Sequence, residues 1–211
     1  MRSICLRFIF ASFALLALAG AQCAFVASSG NHDRDKEDGS IGNGLIVVIN
    51  DGRLVDGPVQ GVRYTSGSVS GITGADGEFR YEAGKTIQFS IGSIALGEVV
   101  TAKPLMTPLD LVPGGSLDTP AVINIARLLQ SLDAVPGDRR ITIPATLRSA
   151  AGAGREPLVA AIRSLDFADD TAFVNAASQL VATLTANYGF TAVLVDAETA
   201  RQHLQDTLDG L

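Results

Sequence analysis

Two periods divide the chain. From Gly44 to about Val100, apolar and polar residues alternate and glycine returns every few positions; from Pro120 onward, apolar residues recur every three or four. The first stretch reads as short strands. Leu45-Ile46-Val47-Val48-Ile49 is β-branched and closed by Asn50-Asp51-Gly52, a tight-turn signal. Further strands are predicted at Val59 to Tyr64, Val69 to Thr73, Glu78 to Tyr81, Thr86 to Ile91 and Ile94 to Val100. Phe79/Tyr81, Ile87/Phe89/Ile91 and Ile94/Leu96 alternate with polar neighbours, which places them on one face of a sheet whose other face is wet. Ala75-Asp76-Gly77 and Gly92-Ser93 read as hairpin turns, so the whole reads as a small antiparallel sandwich.

Val122, Ile123, Ile125, Ala126, Leu128, Leu129 and Leu132 form a helical stripe, with Thr119 or Asp118 to cap it and Pro120 suited to its first turn. A shorter helix is predicted between Glu156 and Leu165. Asp169-Asp170 opens another, with Phe173, Val174, Ala177, Leu180, Val181 and Leu184 on one stripe and Gly189 after its end. Asp196 caps a last helix through Ala200, Leu204 and Leu208. Between the halves, Pro104, Pro108 and Pro113 punctuate a connector whose Leu105, Leu109, Leu111 and Val112 are apolar enough to pack. The expected fold class is α+β: a small antiparallel β-sandwich in the N-terminal half, packed with a region of three or four helices. The expected boundaries are a signal peptide over 1–21, a disordered tether over 22–43, the β-sandwich over 44–103, and the connector and helical region over 104–211.

The N-terminus follows the secretory plan: Arg2 and Arg7, an apolar run from Phe8 to Leu18, then small residues at Ala19, Gly20 and Ala21. That run is too short to span a hydrocarbon core of ~30 Å as an anchor. Cys23 stands two residues beyond Ala21, where bacterial lipoproteins carry the thiol that receives lipid, although Gln22 replaces the small residue expected before it. Cleavage after Ala21 would instead leave Cys23 as a lone thiol in an oxidising compartment. Both outcomes stay open, and Cys23 is the lipidation candidate. Ala24 to Asn43 is polar, carries the cluster Asp33-Arg34-Asp35-Lys36-Glu37-Asp38, and holds too few large apolar side chains to build a core.

Composition narrows the chemistry. The 211 residues carry 16 Lys and Arg against 22 Asp and Glu, a formal charge of −6, and no basic run exceeds Arg139-Arg140, so neither nucleic acid nor anionic lipid is an expected partner. Two His, two Cys and no Trp argue against zinc, haem and iron–sulfur centres. His203 is the single base candidate outside the tether, and no nucleophile elbow accompanies it; Gly67-Ser68-Val69-Ser70-Gly71 has the wrong spacing. Asp166, Asp169 and Asp170 read as acids favoured near a helix N-terminus rather than a hydrolase pair. Gly39 to Gly44 lacks the Lys of a phosphate loop. Asp133 and Asp138, with nearby carbonyls, are calcium candidates, but two carboxylates followed by Arg139 and Arg140 make a thin ligand set. No catalytic residue, cofactor or metal is therefore assigned.

Val55-Asp56-Gly57-Pro58-Val59-Gln60-Gly61-Val62, then Gly71-Ile72-Thr73-Gly74-Ala75-Asp76-Gly77-Glu78-Phe79-Arg80-Tyr81, Gly84 and Phe89-Ser90-Ile91-Gly92 resemble the carboxypeptidase-regulatory-like (transthyretin-like) β-sandwich. Thr107 to Gly114, the run Asn124-Ile125-Ala126-Arg127-Leu128-Leu129-Gln130-Ser131-Leu132-Asp133, and Ala200-Arg201-Gln202-His203-Leu204 look like a set of bacterial envelope proteins, secreted or lipid-anchored. The resemblance implies location and fold, and brings no activity. The expected function is a non-enzymatic, exported envelope protein acting as a binding or spacer module. Its partner would be another envelope protein, and it would touch the membrane only through an N-terminal lipid. Alternatives are a periplasmic accessory of envelope transport that carries a small apolar ligand, and an enzyme of unknown type.

Overall fold

The computed structural model describes residues 46–186 and 191–211. The signal segment, Cys23, the tether and Gly189 lie outside them. Residues 44–211 form one compact unit. Strand β1 spans Ile49–Leu54, β2 Val59–Gln60, β3 Arg63–Ser66, β4 Val69–Ile72, β5 Glu78–Glu82, β6 Thr86–Ile91, β7 Ile94–Thr101 and β8 Leu105–Met106. Helix α1 (Pro120–Ser131) follows, then β9 (Ile141–Thr142), α2 (Ala145–Gly152), α3 (Leu158–Arg163), α4 (Asp170–Thr185) and α5 (Ala197–Asp209). The fold is α+β, as the two periods predict.

Three sheets result. One has the order β5-β1-β8, the second β4-β3-β6-β7, and β2 pairs with β9 in a third. Pairings in the second are antiparallel throughout, whereas β1 with β8 and β2 with β9 are parallel. The alternating side chains of β5, β6 and β7 point inward as expected, and the Phe79 ring of one sheet meets Phe89 of the other edge-on at 5.2 Å. Each such buried aromatic contributes on the order of 1.5–3 kcal/mol by leaving water. The stripes of α1 and α4 close the same core from the other side, with Phe173, Leu180 and Leu128 fully buried.

Local readings fail where tertiary contacts outweigh them. Asn50-Asp51-Gly52 is no turn but the middle of β1, paired across to Phe79, Arg80 and Tyr81. A Cβ on Gly52 would lie 2.5 Å from Phe79 Cζ, so glycine is there to let the ring lie over the strand. The stretch Val59 to Tyr64 breaks at Gly61, whose φ of +92° turns the chain from its pairing with β9 into the second sheet. Ala75-Asp76-Gly77 does turn the chain, but it carries it from the second sheet to the first rather than closing a hairpin. Gly92-Ser93 closes the β6–β7 hairpin as read. Helix α2 was not anticipated; its Ala- and Ser-rich turns bury only Leu147 and Ala151.

The connector is packed. Met106 and Leu111 are buried, Glu98 donates its N–H to the Leu111 carbonyl, and Asp110 accepts from the Thr107 N–H and hydroxyl. Since β8 and β9 also complete pairs begun by β1 and β2, heating is expected to give a single calorimetric transition with matching calorimetric and van't Hoff enthalpies. Two well-separated transitions would show that the sheets and helices unfold independently.

Candidate functional site

Helix α1 carries more than an apolar stripe. Its Asn124 and Arg127 are also buried. Arg127 Nε donates to the Val195 carbonyl at 2.8 Å, and one terminal nitrogen reaches Asn124 Oδ1 at 3.0 Å and Asp170 Oδ1 at 3.2 Å. Its guanidinium lies 5.5 Å from the centre of the Phe173 ring. Asn124 Nδ2 holds the Phe167 carbonyl, and the Ser131 hydroxyl accepts from Val195 N–H. The polar letters of the run from Asn124 to Asp133 therefore stitch the segments flanking α4 onto α1.

A fourth polar side chain of that run, Gln130, leads to the site. Gln130 Nε2 donates at 3.0 Å to Oδ2 of Asp56, which sits in the turn between β1 and β2 and is 0 % exposed. The other carboxylate oxygen, Oδ1, has no hydrogen-bond partner among the described residues. From α5, His203 Nε2 lies 2.9 Å from the Asp56 carbonyl and 3.8 Å from Oδ1. A carbonyl only accepts, so Nε2 carries the hydrogen. One turn on, Thr207 Oγ1 accepts from Gly57 N–H at 2.9 Å. Burial pushes the Asp56 carboxyl up to about 6, against the Gln130 hydrogen bond and the His203 ring, which favour the ionised form.

Beside this cluster runs a groove of about 630 Å³, walled by Gly57, Pro58, Arg139, His203, Thr207 and the acids Asp138, Asp206 and Asp209. The Thr207 hydroxyl is the single alcohol in that wall, and it is engaged with Gly57. The groove can hold polar or cationic groups beside His203. An acyl-transfer nucleophile with a free base is not among its lining.

Of the sequence-derived candidates, His203 and Asp138 line this groove, while the acids are engaged by the backbone of their own loops or by Arg127. Asp133 Oδ1 accepts from the N–H groups of Val135 and Thr142, and Asp138 Oδ1 from that of Arg140. Among the described residues no group of three or more His, Cys, Asp or Glu is arranged to hold a metal. Asp166 accepts from Ala168 N–H, Asp169 caps α4 through Ala172 N–H, and Asp170 faces Arg127, so the three do not form a catalytic pair. Asp56 escaped the sequence reading because an acid before Gly-Pro is an ordinary exposed turn residue. The Val55-Asp56-Gly57-Pro58-Val59 run occurs once in the chain and carries no mark of that burial.

The fold and groove define an α+β protein with a polar surface site, and sequence comparison adds a cellular context. The chain is 37 % identical over 78 residues, 34 % of its length, to the "Putative lipoprotein AcfD homolog" of Escherichia coli strain K12. It is 36 % identical, over 78 residues, to the "Putative lipoprotein YghJ" of Escherichia coli O78:H11 strain H10407. In both cases the match spans 5 % of the relative's own length. No family model matches the chain, and no solved structure does. The carboxypeptidase-regulatory-like likeness thus rests on the motifs alone.

Proposed function

We propose that this chain is an exported, envelope-associated protein, held to a membrane through lipid on Cys23 and acting as a non-catalytic interaction module. The observation that carries the reading is the shared sequence with two proteins named as lipoproteins, on a chain whose own N-terminus has a signal pattern ending near a cysteine. Among the described residues no helix is long and apolar enough to cross a membrane, which leaves the N-terminus as the attachment this reading uses.

Carriage of a small apolar ligand is a second reading. A depression of about 440 Å³ between β7, the connector and α1 is lined by Leu111, Val112, Ile125, Leu165 and Phe167. It lies open to solvent, and a ligand carrier is better served by a site that buries most of its ligand. The interaction module is therefore preferred.

The anchor is tested by growing cells with labelled palmitate and partitioning the envelope fraction in detergent. Wild-type protein is expected to carry label and enter the detergent phase, and Cys23→Ser to lose the label and stay aqueous. Mature protein that begins with unmodified Gln22 and has a free thiol would end the anchor reading, and recovery of residues 1–20 in mature protein would end export.

A further inference from the structure

Helix α5 is attached differently from the other helices. Its apolar face belongs to a small separate cluster, in which Ala200 and Leu204 meet Val122, Ile123 and Ala126 of α1. Arg201 ties its first half to the Leu117 carbonyl and to Asp118. Its second half is tied to the Asp56–Gly57 turn, where His203 and Thr207 each make one hydrogen bond to the backbone. The side chain under that joint is Asp56, fully buried, with one oxygen on a neutral donor and the other on none. A permanent carboxylate in such a place would be expected to have an ion pair or several N–H donors. A protonated carboxyl needs no ion pair, and burying it costs far less than burying a charge.

We propose that this joint is a proton-operated clasp: α5 lies closed on the body while the Asp56 carboxyl holds its proton, and its second half loosens when that proton leaves. The charged and titratable groups facing the joint are His203, Asp206 and Asp209 from α5 and Asp138 and Arg139 from the loop before β9; α1 presents the neutral Gln130. His203, 3.8 Å from Oδ1, favours an ionised Asp56 but does not outweigh its burial, and the rest of the groove sets three carboxylates against one arginine. Two of them also sit in the last turn of α5, where the helix dipole already disfavours negative charge. Loosening gives the Asp56 carboxylate water and uncovers Val122, Ile123 and Ala126.

The sign follows from the proton count. The closed state holds the carboxyl near 6 and an exposed one titrates at 3.8, so the closed state binds the proton more tightly, and closure is favoured at low pH and weakened as pH rises through about 6. A difference of about two units allows up to a ~100-fold rise in the opening constant. Hydrogen exchange of the full chain, corrected for the intrinsic rate, should show opening of the α5 segment rising about 25-fold between pH 4.5 and 8, since an opened Asp56 is already mostly ionised at the lower pH, with α4 unchanged. Asp56→Asn should flatten the α5 profile while leaving α4 protected. Carbon NMR of the wild-type carboxyl provides a check that needs no variant, with a midpoint near 6 expected. A flat wild-type profile, a slope that survives Asp56→Asn, α4 opening in step with α5, or an Asp56 midpoint near 3.8 would each overturn the clasp.

Discussion

Replacing Arg127 with alanine is expected to destabilise the protein by about 3–4 kcal/mol, read as a drop in urea midpoint at pH 7 with unchanged m-value. The side chain is nearly buried, and its loss strands the Val195 carbonyl and Asn124 Oδ1 without their donor. It also opens a void against Phe173. The ion pair with Asp170 is the smaller part, because the Asp170 side chain is 63 % exposed and water screens it. Asp170→Asn should therefore cost under about 0.5 kcal/mol. If the two variants cost the same, Arg127 works as a surface charge and the stitching of the segments flanking α4 onto α1 is wrong.

Phe79→Ala should cost about 3–5 kcal/mol, since the ring is 1 % exposed and packs on Tyr64, Tyr81 and Phe89. The sharper test pairs it with Gly52→Ala. In the wild-type background the new Cβ would meet Phe79 Cζ at 2.5 Å and Cε2 at 2.7 Å, so that substitution alone should cost about 2 kcal/mol or more. With the ring gone, the nearest remaining neighbour is the Lys103 carbonyl at 3.1 Å, a contact relieved by a shift of a few tenths of an ångström, so the same methyl should cost less than in the wild-type background. The double variant is then more stable than the two single costs added together. Strict additivity would mean that Gly52 is needed for its backbone freedom and not for the ring.

That pair also explains what the sequence could and could not disclose. Alternation in Glu78 to Tyr81 and Thr86 to Ile91 is a property of one strand, and so are the Asp169 and Asp196 caps of α4 and α5; both are written locally and both appear in the fold. Asn50-Asp51-Gly52 has the local grammar of a turn, and what keeps it extended is an aromatic ring from another strand. Strands β8 and β9 are two residues each, too short to show a period, and exist because β1 and β2 have open sides. His203 was visible as the lone base outside the tether. Asp56 was not, because its burial is made by α1 and α5 arriving from far along the chain. Asp133 and Asp138 looked like ligands for a cation and instead hold their own loop's amides. In acid the fold also loses the contributions of Glu78, Glu82 and Asp196. Hydrogen bonds, to backbone N–H groups for the two Glu and first of all to the Thr199 hydroxyl for Asp196, hold these carboxylates below the usual range. Asp56 acts in the opposite direction.

The hydrogen bond from Gly57 to Thr207 joins residues 150 positions apart, and the parallel pairing of β2 with β9 closes a long loop inside it. Contacts of such span form late, because loop-closure entropy must be met before they give anything back. The first sheet can have its strands in hand and still lack the last helix that seals its turn. A polypeptide threaded through a secretion channel from its N-terminus must remain unfolded until most of it has passed. For a chain exported as proposed, an architecture that withholds its final seal until the C-terminal helix has emerged would keep it pliable during transit and let it lock on the far side.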